Sequence, residues 1–342
     1  MQKSNYSVPI LDTEEALIRK MTTPSAAVKQ AISELAGEIM ILGAGGKMGP
    51  SLAELLINAD ARVIGVDLFP DERVENYLAS KAVQTIRTDL MEETALNELP
   101  ETEYIILMAG TKFGSFGNEP FTWAINAMLP GRVMHRFRSS KIIYVSSGNV
   151  YKYTPVDSGG ATEEYPVDPI GEYAQSRLGG ERLVQFFSAR NGTPACIVRL
   201  FYASELRYGI IHDVAQKIKS GQPIDLSMGY VNQIWQGDAN AALARLFPLC
   251  ESPAKTINLT GLETLSVRDI ALRIGEIMGR QPTFIGEEQP TALLGNAGEM
   301  ERILGAPQIS IDELIEWVTW WVEHDKSSLG KPTKYESRTG KF

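Results

Sequence analysis

Ile39-Met40-Ile41-Leu42-Gly43-Ala44-Gly45-Gly46-Lys47-Met48-Gly49 is the stretch on which the reading of this chain turns. Four apolar residues run into a cluster of glycines, and Met48–Asn58 follows with helical character. The pattern is strand, tight turn, helix. The first glycine, Gly43, permits the turn; Gly46 lets backbone approach a bulky anion; Gly49 lets helix and strand pack closely. A helix that starts there offers free N–H groups and the positive end of its dipole, which suit a pyrophosphate.

The next strand ends Ile64-Gly65-Val66-Asp67, so an acid lies about 20 residues beyond the turn. A carboxylate there accepts hydrogen bonds from both ribose hydroxyls and repels a 2′-phosphate. Together the turn and Asp67 point to the ADP half of a nicotinamide dinucleotide, NAD rather than NADP. Thr88-Asp89-Leu90 follows a third strand, and Asp89 is placed to meet the adenine edge.

Outward from this unit, short apolar strands are expected at Arg62–Val66, Ala82–Thr85, Tyr104–Met108, Lys141–Ser146 and Ala195–Phe201. Helices such as Thr122–Phe137 fall between them. Alternation of this kind predicts an α/β, doubly wound parallel sheet covered on both faces. At 342 residues the chain exceeds one ordinary core. Residues 38–201 plus 231–260 read as the dinucleotide-binding domain, with Gln233–Trp235 and Thr256–Leu259 as strands that rejoin its sheet. Residues 202–230 plus 261–328 read as a smaller, discontinuous C-terminal substrate domain. Residues 1–37 read as a helical extension packed on the main domain, and 329–342 as a basic, solvated or partner-clasping tail.

The net charge of −9 lacks the basic face that nucleic acid requires, so no nucleic-acid partner is expected. Two isolated cysteines, Cys196 and Cys250, read as reduced core thiols. His135, His212 and His324 are scattered without metal-ligand spacing, so no metal is expected. Acidic residues in the first turns and short apolar runs argue against a secretory signal or a membrane span, and a cytoplasmic enzyme is the expectation.

The chemistry is expected where the fifth strand enters Tyr144-Val145-Ser146-Ser147-Gly148-Asn149. Ligands of open parallel sheets bind outside the carboxyl ends of strands. Further on, Tyr173-Ala174-Gln175-Ser176-Arg177 lies on an expected helix, Gly171–Ala189. Residues 173 and 177 share a face at i, i+4 spacing. A fixed cation beside a tyrosine favours its phenolate. Tyr173 can then serve as general base towards an alcohol whose oxygen Ser147 holds.

Over residues 38–325 the chain resembles the extended short-chain dehydrogenases/reductases of the NAD-dependent epimerase/dehydratase family. The resemblance rests on the glycine loop, Asp67, Asp89, Leu107-Met108-Ala109-Gly110, Asn126, Ser146-Ser147, Tyr151, Tyr173, Val198-Arg199-Leu200-Phe201 and Gln236-Gly237-Asp238. It implies bound NAD, a Rossmann-type domain, a carbohydrate-type alcohol as substrate, and a homodimer built from helices near 120–137 and 171–190. The cofactor-binding set it implies adds Lys47, Met48, Leu68, Leu90, Val145, Leu200 and Tyr202 to the residues already named, with Tyr173 and Arg177. Lys112, Ser147, Asn149, Tyr202 and Arg207 are the substrate candidates, with Phe113 and Phe116 beside Lys112 as pocket candidates.

Two departures matter. The family pattern is Tyr-x-x-x-Lys, and this chain has Arg177. Arginine keeps the charge and can bond the ribose but cannot release a proton near neutral pH. The stretch Gly229–Trp235 also lacks the arginine that grips a nucleotide-sugar diphosphate in many relatives; Arg207 or Arg302 are the stand-ins. Three readings follow: an epimerase or dehydratase, a simple dehydrogenase of a free sugar, sugar acid or lactone, and an NAD-binding sensor or scaffold without turnover.

Overall fold

The computed structural model describes residues 6–112 and 117–341. Phe113 and Phe116 lie outside the described residues. Seven parallel strands form one sheet: β1 (Ile39–Leu42), β2 (Val63–Asp67), β3 (Gln84–Arg87), β4 (Tyr104–Leu107), β5 (Lys141–Ser147), β6 (Ala195–Leu200) and β7 (Lys255–Leu259). Their spatial order is β3-β2-β1-β4-β5-β6-β7. The chain winds outward from β1 to one edge, then returns to lay β4 on the other side of β1. That reversal opens a crevice at the carboxyl ends of β1 and β4.

Side chains of β1 alternate between the two faces, as strand geometry requires. Ile39 and Ile41 enter one core with the helix α3 (Gly49–Asn58), while Met40 and Leu42 enter the other with α4 (Leu129–Arg136). Every residue of β1 is buried, which explains why its sequence is uniformly apolar rather than alternating. The third strand begins two residues later than its composition suggests. Ala82 takes a left-handed conformation, φ 62°, to leave the preceding helix, and so cannot start the strand.

Two expectations are corrected. Gln233–Trp235 does not rejoin the main sheet; it pairs with Tyr202–Ser204 in a separate two-stranded ladder. The edge of β6 is already taken by β7, in register from Lys255 on Cys196 to Leu259 on Leu200. The basic tail is anchored rather than free, although its lysines Lys331, Lys334 and Lys341 are exposed. Thr333 and Tyr335 are buried, Thr333 bonds Asp213 through its N–H and hydroxyl, and Arg338 bonds Thr291.

A second core lies beyond β6, around the helices Ile210–Ser220, Val267–Met278 and Ile311–Glu323. Trp317 and Trp321 are part of it, consistent with their helical spacing. The N-terminal extension joins the two cores. Its helix α1 (Glu14–Thr22) places Leu17 and Met21 in the second core, and α2 (Ala26–Ser33) places Val28 and Ile32 in the first. Cys196 and Cys250 are buried and unpaired with each other.

Candidate functional site

The glycine turn is built as its sequence demands. Gly43 has φ 95°, and a Cβ there would lie 2.5 Å from the backbone nitrogen of Ala109 at the end of β4. The backbone crossing is therefore open only to glycine. Asp67 ends β2 and caps this turn: its carboxylate accepts from Gly45 N–H at 2.9 Å and from Phe69 N–H at 3.1 Å. Asp67, Leu68, Asp89, Leu90, Met108, Ala109 and Gly110 all line one cavity with Gly43 and Gly46. Asp89 also accepts from Met91 N–H at 2.8 Å, which fixes its turn. Thr88, Phe121, Ile125 and Leu129 complete the walls and carried no sequence signal as isolated residues.

A second cavity of about 260 Å³ shares Gly43, Gly46, Met108, Gly110 and Thr111 with the first, so the two form one trough across the glycine turn. Ser147, Tyr173 and Arg177 all line this second half, with Met48, Val145, Asn149, Leu200, Tyr202 and the backbone-bearing edge of Ser146. Helix α5 (Gly171–Asn191) delivers Tyr173 and Arg177 from one face. The Ser147 hydroxyl donates to Asn149 Oδ1 at 3.1 Å and accepts from Asn149 N–H at 3.2 Å. Ser146 turns away: its hydroxyl donates to Glu181 Oε1 at 2.6 Å. Glu181 lies one further turn along α5 and is paired with Arg199 of β6, both buried. That pair locks the helix to the strand ends that carry the serines.

Arg177 is 4% exposed and does more than lie beside Tyr173. Its guanidinium donates to the Val145 carbonyl, lies 3.4 Å from Asn126 Oδ1 and sits 5.0 Å above the Tyr144 ring. Its Nε is buried with no hydrogen-bond partner among the described residues. The planar head thus ties Val145 of β5 to Asn126 in the turn 124–128, a span that a lysine ammonium does not bridge with the same fork.

Asn126 does not line the trough. It is fully buried; its amide bonds the Thr111 N–H and carbonyl, both at 2.9 Å, and its Nδ2 also donates to Ser176 Oγ at 3.0 Å. It fixes the loop after β4. A π-type turn, Ala124–Met128, presents it. Pro130 has no N–H to give the Asn126 carbonyl, and the Tyr144 hydroxyl supplies that hydrogen bond instead, at 3.2 Å. Gly180 of α5 passes so close to both that a Cβ would collide with them.

Arg207 is likewise not in the cavity. Its guanidinium is spent on Glu205 at 3.0 Å and Glu14 at 3.4 Å. Arg302 pairs with Glu299 on the surface. Lys47 faces across the cleft, donating to the Ala203 carbonyl at 2.5 Å and lying 4.0 Å from the Tyr208 ring centre. Lys112 lies 5.5 Å from the Tyr202 ring centre and 5.9 Å from that of Tyr173. Burial pushes both ammonium groups down, Lys47 to about 7 and Lys112 to about 8. The phenols of Tyr202 and Tyr208 are pushed up by burial. Thr111, Phe201, Ala203, Tyr208 and Leu293 complete the lining. Leu293 in particular comes from far along the chain and had no local signal.

The residues present fit an NAD molecule. A backbone turn that admits no Cβ meets the need of a pyrophosphate, one carboxylate ends β2, and a serine, a tyrosine and a buried cation share the far half of the trough.

A family model described as the NAD dependent epimerase/dehydratase family matches residues 39–233. Among curated proteins, a Bacillus subtilis (strain 168) protein described as an uncharacterized UDP-glucose epimerase, YtcB, is 24% identical over 274 residues, 72% of this chain and 84% of that protein. Among solved structures, UDP-glucuronic acid 4-epimerase from Bacillus cereus in complex with NAD superposes with a TM-score of 0.69 at 19% identity, covering 84% of this chain and 99% of that one. A UDP-galactose 4-epimerase gives 0.68 at 19% identity, covering 84% and 99%. MoeE5 in complex with UDP-glucose and NAD gives 0.66 at 19% identity, with the same coverage.

Proposed function

This chain belongs to the NAD-dependent epimerase/dehydratase family, and on that premise we propose that it isomerises a carbohydrate carried on a nucleoside diphosphate. The observation that carries the reading is the shared cavity: Ser147, Tyr173 and Arg177, from separate elements, line the half of the trough beyond the glycine turn. NAD bound in the trough supplies the hydride acceptor and donor. Tyr173 takes the proton from the substrate hydroxyl as general base and returns it. The Ser147 hydroxyl, held by Asn149, orients the reacting oxygen. Arg177 supplies a fixed charge beside Tyr173 but, being unable to deprotonate, relays no proton.

The UDP-glucose bound by one solved structure, the UDP-glucose epimerase description of the curated relative, and the second-core residue Leu293 in the trough lining support a nucleotide sugar as substrate and the second core as part of its binding unit. Phe121, Trp123, Met128 and Phe186 leave apolar surface exposed near α4 and α5, which supports a homodimer through those helices. Among the described residues, no helix is long and apolar enough to cross a membrane.

The test is to denature purified protein, measure the released NAD, and assay UDP-glucose and UDP-glucuronic acid for epimerisation. Retained NAD with isomerised sugar and no net NADH is the expected result. An empty protein that forms NADH from a free sugar or sugar acid overturns the isomerase in favour of a simple dehydrogenase. Retained NAD with no turnover of either class supports the sensor reading instead.

A further inference from the structure

Two walls of the catalytic half are held from outside the trough by residues 338–340 of the tail. Arg338 holds the first. Its Nη1 donates to the Thr291 carbonyl at 2.8 Å and its Nη2 to Thr291 Oγ1 at 2.9 Å, so one guanidinium grips one residue twice. Nη1 also donates to the Ser227 carbonyl at 3.3 Å, and the planar head lies 4.4 Å from the centre of the Tyr153 ring. Thr291 and Ala292 pair antiparallel with Pro155 and Thr154. The next residue, Leu293, lines the trough and belongs to the second core. A pairing of two residues is marginal in water by itself, and the arginine fork is what ties it down.

Gly340 holds the second wall, the start of α5. Gly171 opens that helix and Tyr173 lies in its first turn. Ile170, at the cap position, gives the helix no side-chain hydrogen bond. The start is held instead by Glu172, which accepts from the Trp123 indole N–H at 2.6 Å, and by a crossing of two backbones. Gly171 and Gly340 both have left-handed backbone, φ 83° and 68°. A Cβ on Gly171 would lie 2.5 Å from the Gly340 carbonyl oxygen, and one on Gly340 would collide with the Ile170 carbonyl oxygen. Neither position admits a side chain, so residue 340 and the helix start are placed together. Further back the tail is pinned to the second core: Thr333 donates twice to Asp213, and Lys217 pairs with Glu336 at 3.6 Å.

We propose that Arg338 and Gly340 are positioning residues for the chemistry of the trough: Arg338 sets the Leu293 wall that meets the substrate, and Gly340 sets the helix start that carries Tyr173. This rests on the reading of the trough given above and adds two residues to it. Neither residue lines the trough, so each acts through the segment it holds. The two segments belong to different cores, Leu293 to the second and α5 to the main sheet, and one short stretch of tail grips both. The first turn of a helix and a two-residue ladder are the parts of a fold that open most readily. A displacement of about 1 Å at a group that transfers a proton costs on the order of 10² in rate, so bracing both walls has a catalytic consequence.

The experiment compares the parent with Arg338→Ala, Arg338→Lys and Gly340→Ala in the full chain. It reads steady-state epimerisation of UDP-glucose and UDP-glucuronic acid, bound NAD, and amide hydrogen exchange by mass spectrometry. Arg338→Ala should raise KM about tenfold while kcat stays within about twofold, and Arg338→Lys should recover most of the loss. Gly340→Ala should lower kcat by about tenfold or more with little change in KM. Exchange should quicken at residues 291–295 in Arg338→Ala and at 171–176 in Gly340→Ala, while residues 39–49 and the NAD content match the parent. The two variants act on different walls, so if one fails to fold the other decides. Parent rates of exchange at both walls overturn the proposal. Quicker exchange with kcat and KM unchanged also overturns it, because the tail is then an anchor with no bearing on the chemistry. NAD lost in step with turnover overturns it too, since the damage has then spread through the fold. A parent that turns over neither sugar overturns the isomerase reading, and exchange at the two walls then decides the positioning by itself.

Discussion

The two halves of the trough are made in different ways. The half at the ends of β1, β2 and β4 takes its walls from residues 43–129, and its charged lining is the acids Asp67 and Asp89, with Thr88 and Thr111 beside them. The half at Ser147 and Tyr173 draws on segments from Gly43 to Leu293, and its charged lining among the described residues is cationic. The first is a local consequence of strand–turn–helix geometry and is therefore generic. The second is assembled by the fold, so its shape and charge are free to differ from those of relatives with the same sheet.

That contrast can be broken at several points. Tyr173→Phe removes only a hydroxyl in the assembled half. Turnover should fall by about 10² to 10⁴-fold while NAD content stays constant. Unchanged turnover would leave the catalytic half without its base and favour the sensor reading.

Arg177→Ala should cost at least about tenfold in turnover, near 1.4 kcal/mol of barrier, and Arg177→Lys should keep most activity. If the alanine variant turns over at the parent rate, the charge beside Tyr173 has no catalytic part, and Arg177 is only a tie between Val145 and Asn126. In the local half, Asp67→Ser should lower NAD affinity by about tenfold and narrow the gap to NADP, since the acid both bonds the ribose and repels a 2′-phosphate. An unaltered preference for NAD by calorimetry would remove Asp67 from that role.

The smallest effect is on stability against pH. Burial holds Lys47 near 7 and Lys112 near 8, below the ordinary 10.5. Between those values the unfolded chain binds more protons than the folded one, so ligand-free protein should gain stability as pH rises from 7 towards 9.5. Differential scanning calorimetry across that range should show a rising melting temperature that Lys47→Met and Lys112→Met flatten. A parent curve as flat as those of the variants would show that the lysines are solvated and that the two halves do not differ in this respect.

The sequence was legible where its signals are periodic or punctuated. The strand alternation, Gly43, Asp67, Ser147 and the spacing of Tyr173 and Arg177 all lead to one trough. It said less at Asn126, Arg207 and the tail. A buried amide that braces a loop and one that contacts a ligand have the same local sequence, and only the Thr111 and Ser176 partners tell them apart. Arg207 reads as a spare cation until Glu14, nearly two hundred residues earlier, is brought against it. The tail reads as solvated because its lysines are frequent, whereas Thr333, Tyr335 and Arg338 between them anchor it to the second core.

What the sequence by itself determined is the parallel sheet, the dinucleotide turn and the identity of the tyrosine that faces it. Those follow from backbone sterics and periodicities that act over a few residues. Tertiary structure decided where the arginine charges are spent. Whether a cation is paired depends on neighbours from any part of the chain, and folding pairs Arg207 with Glu205 and the distant Glu14, a match that no local sequence pattern reveals.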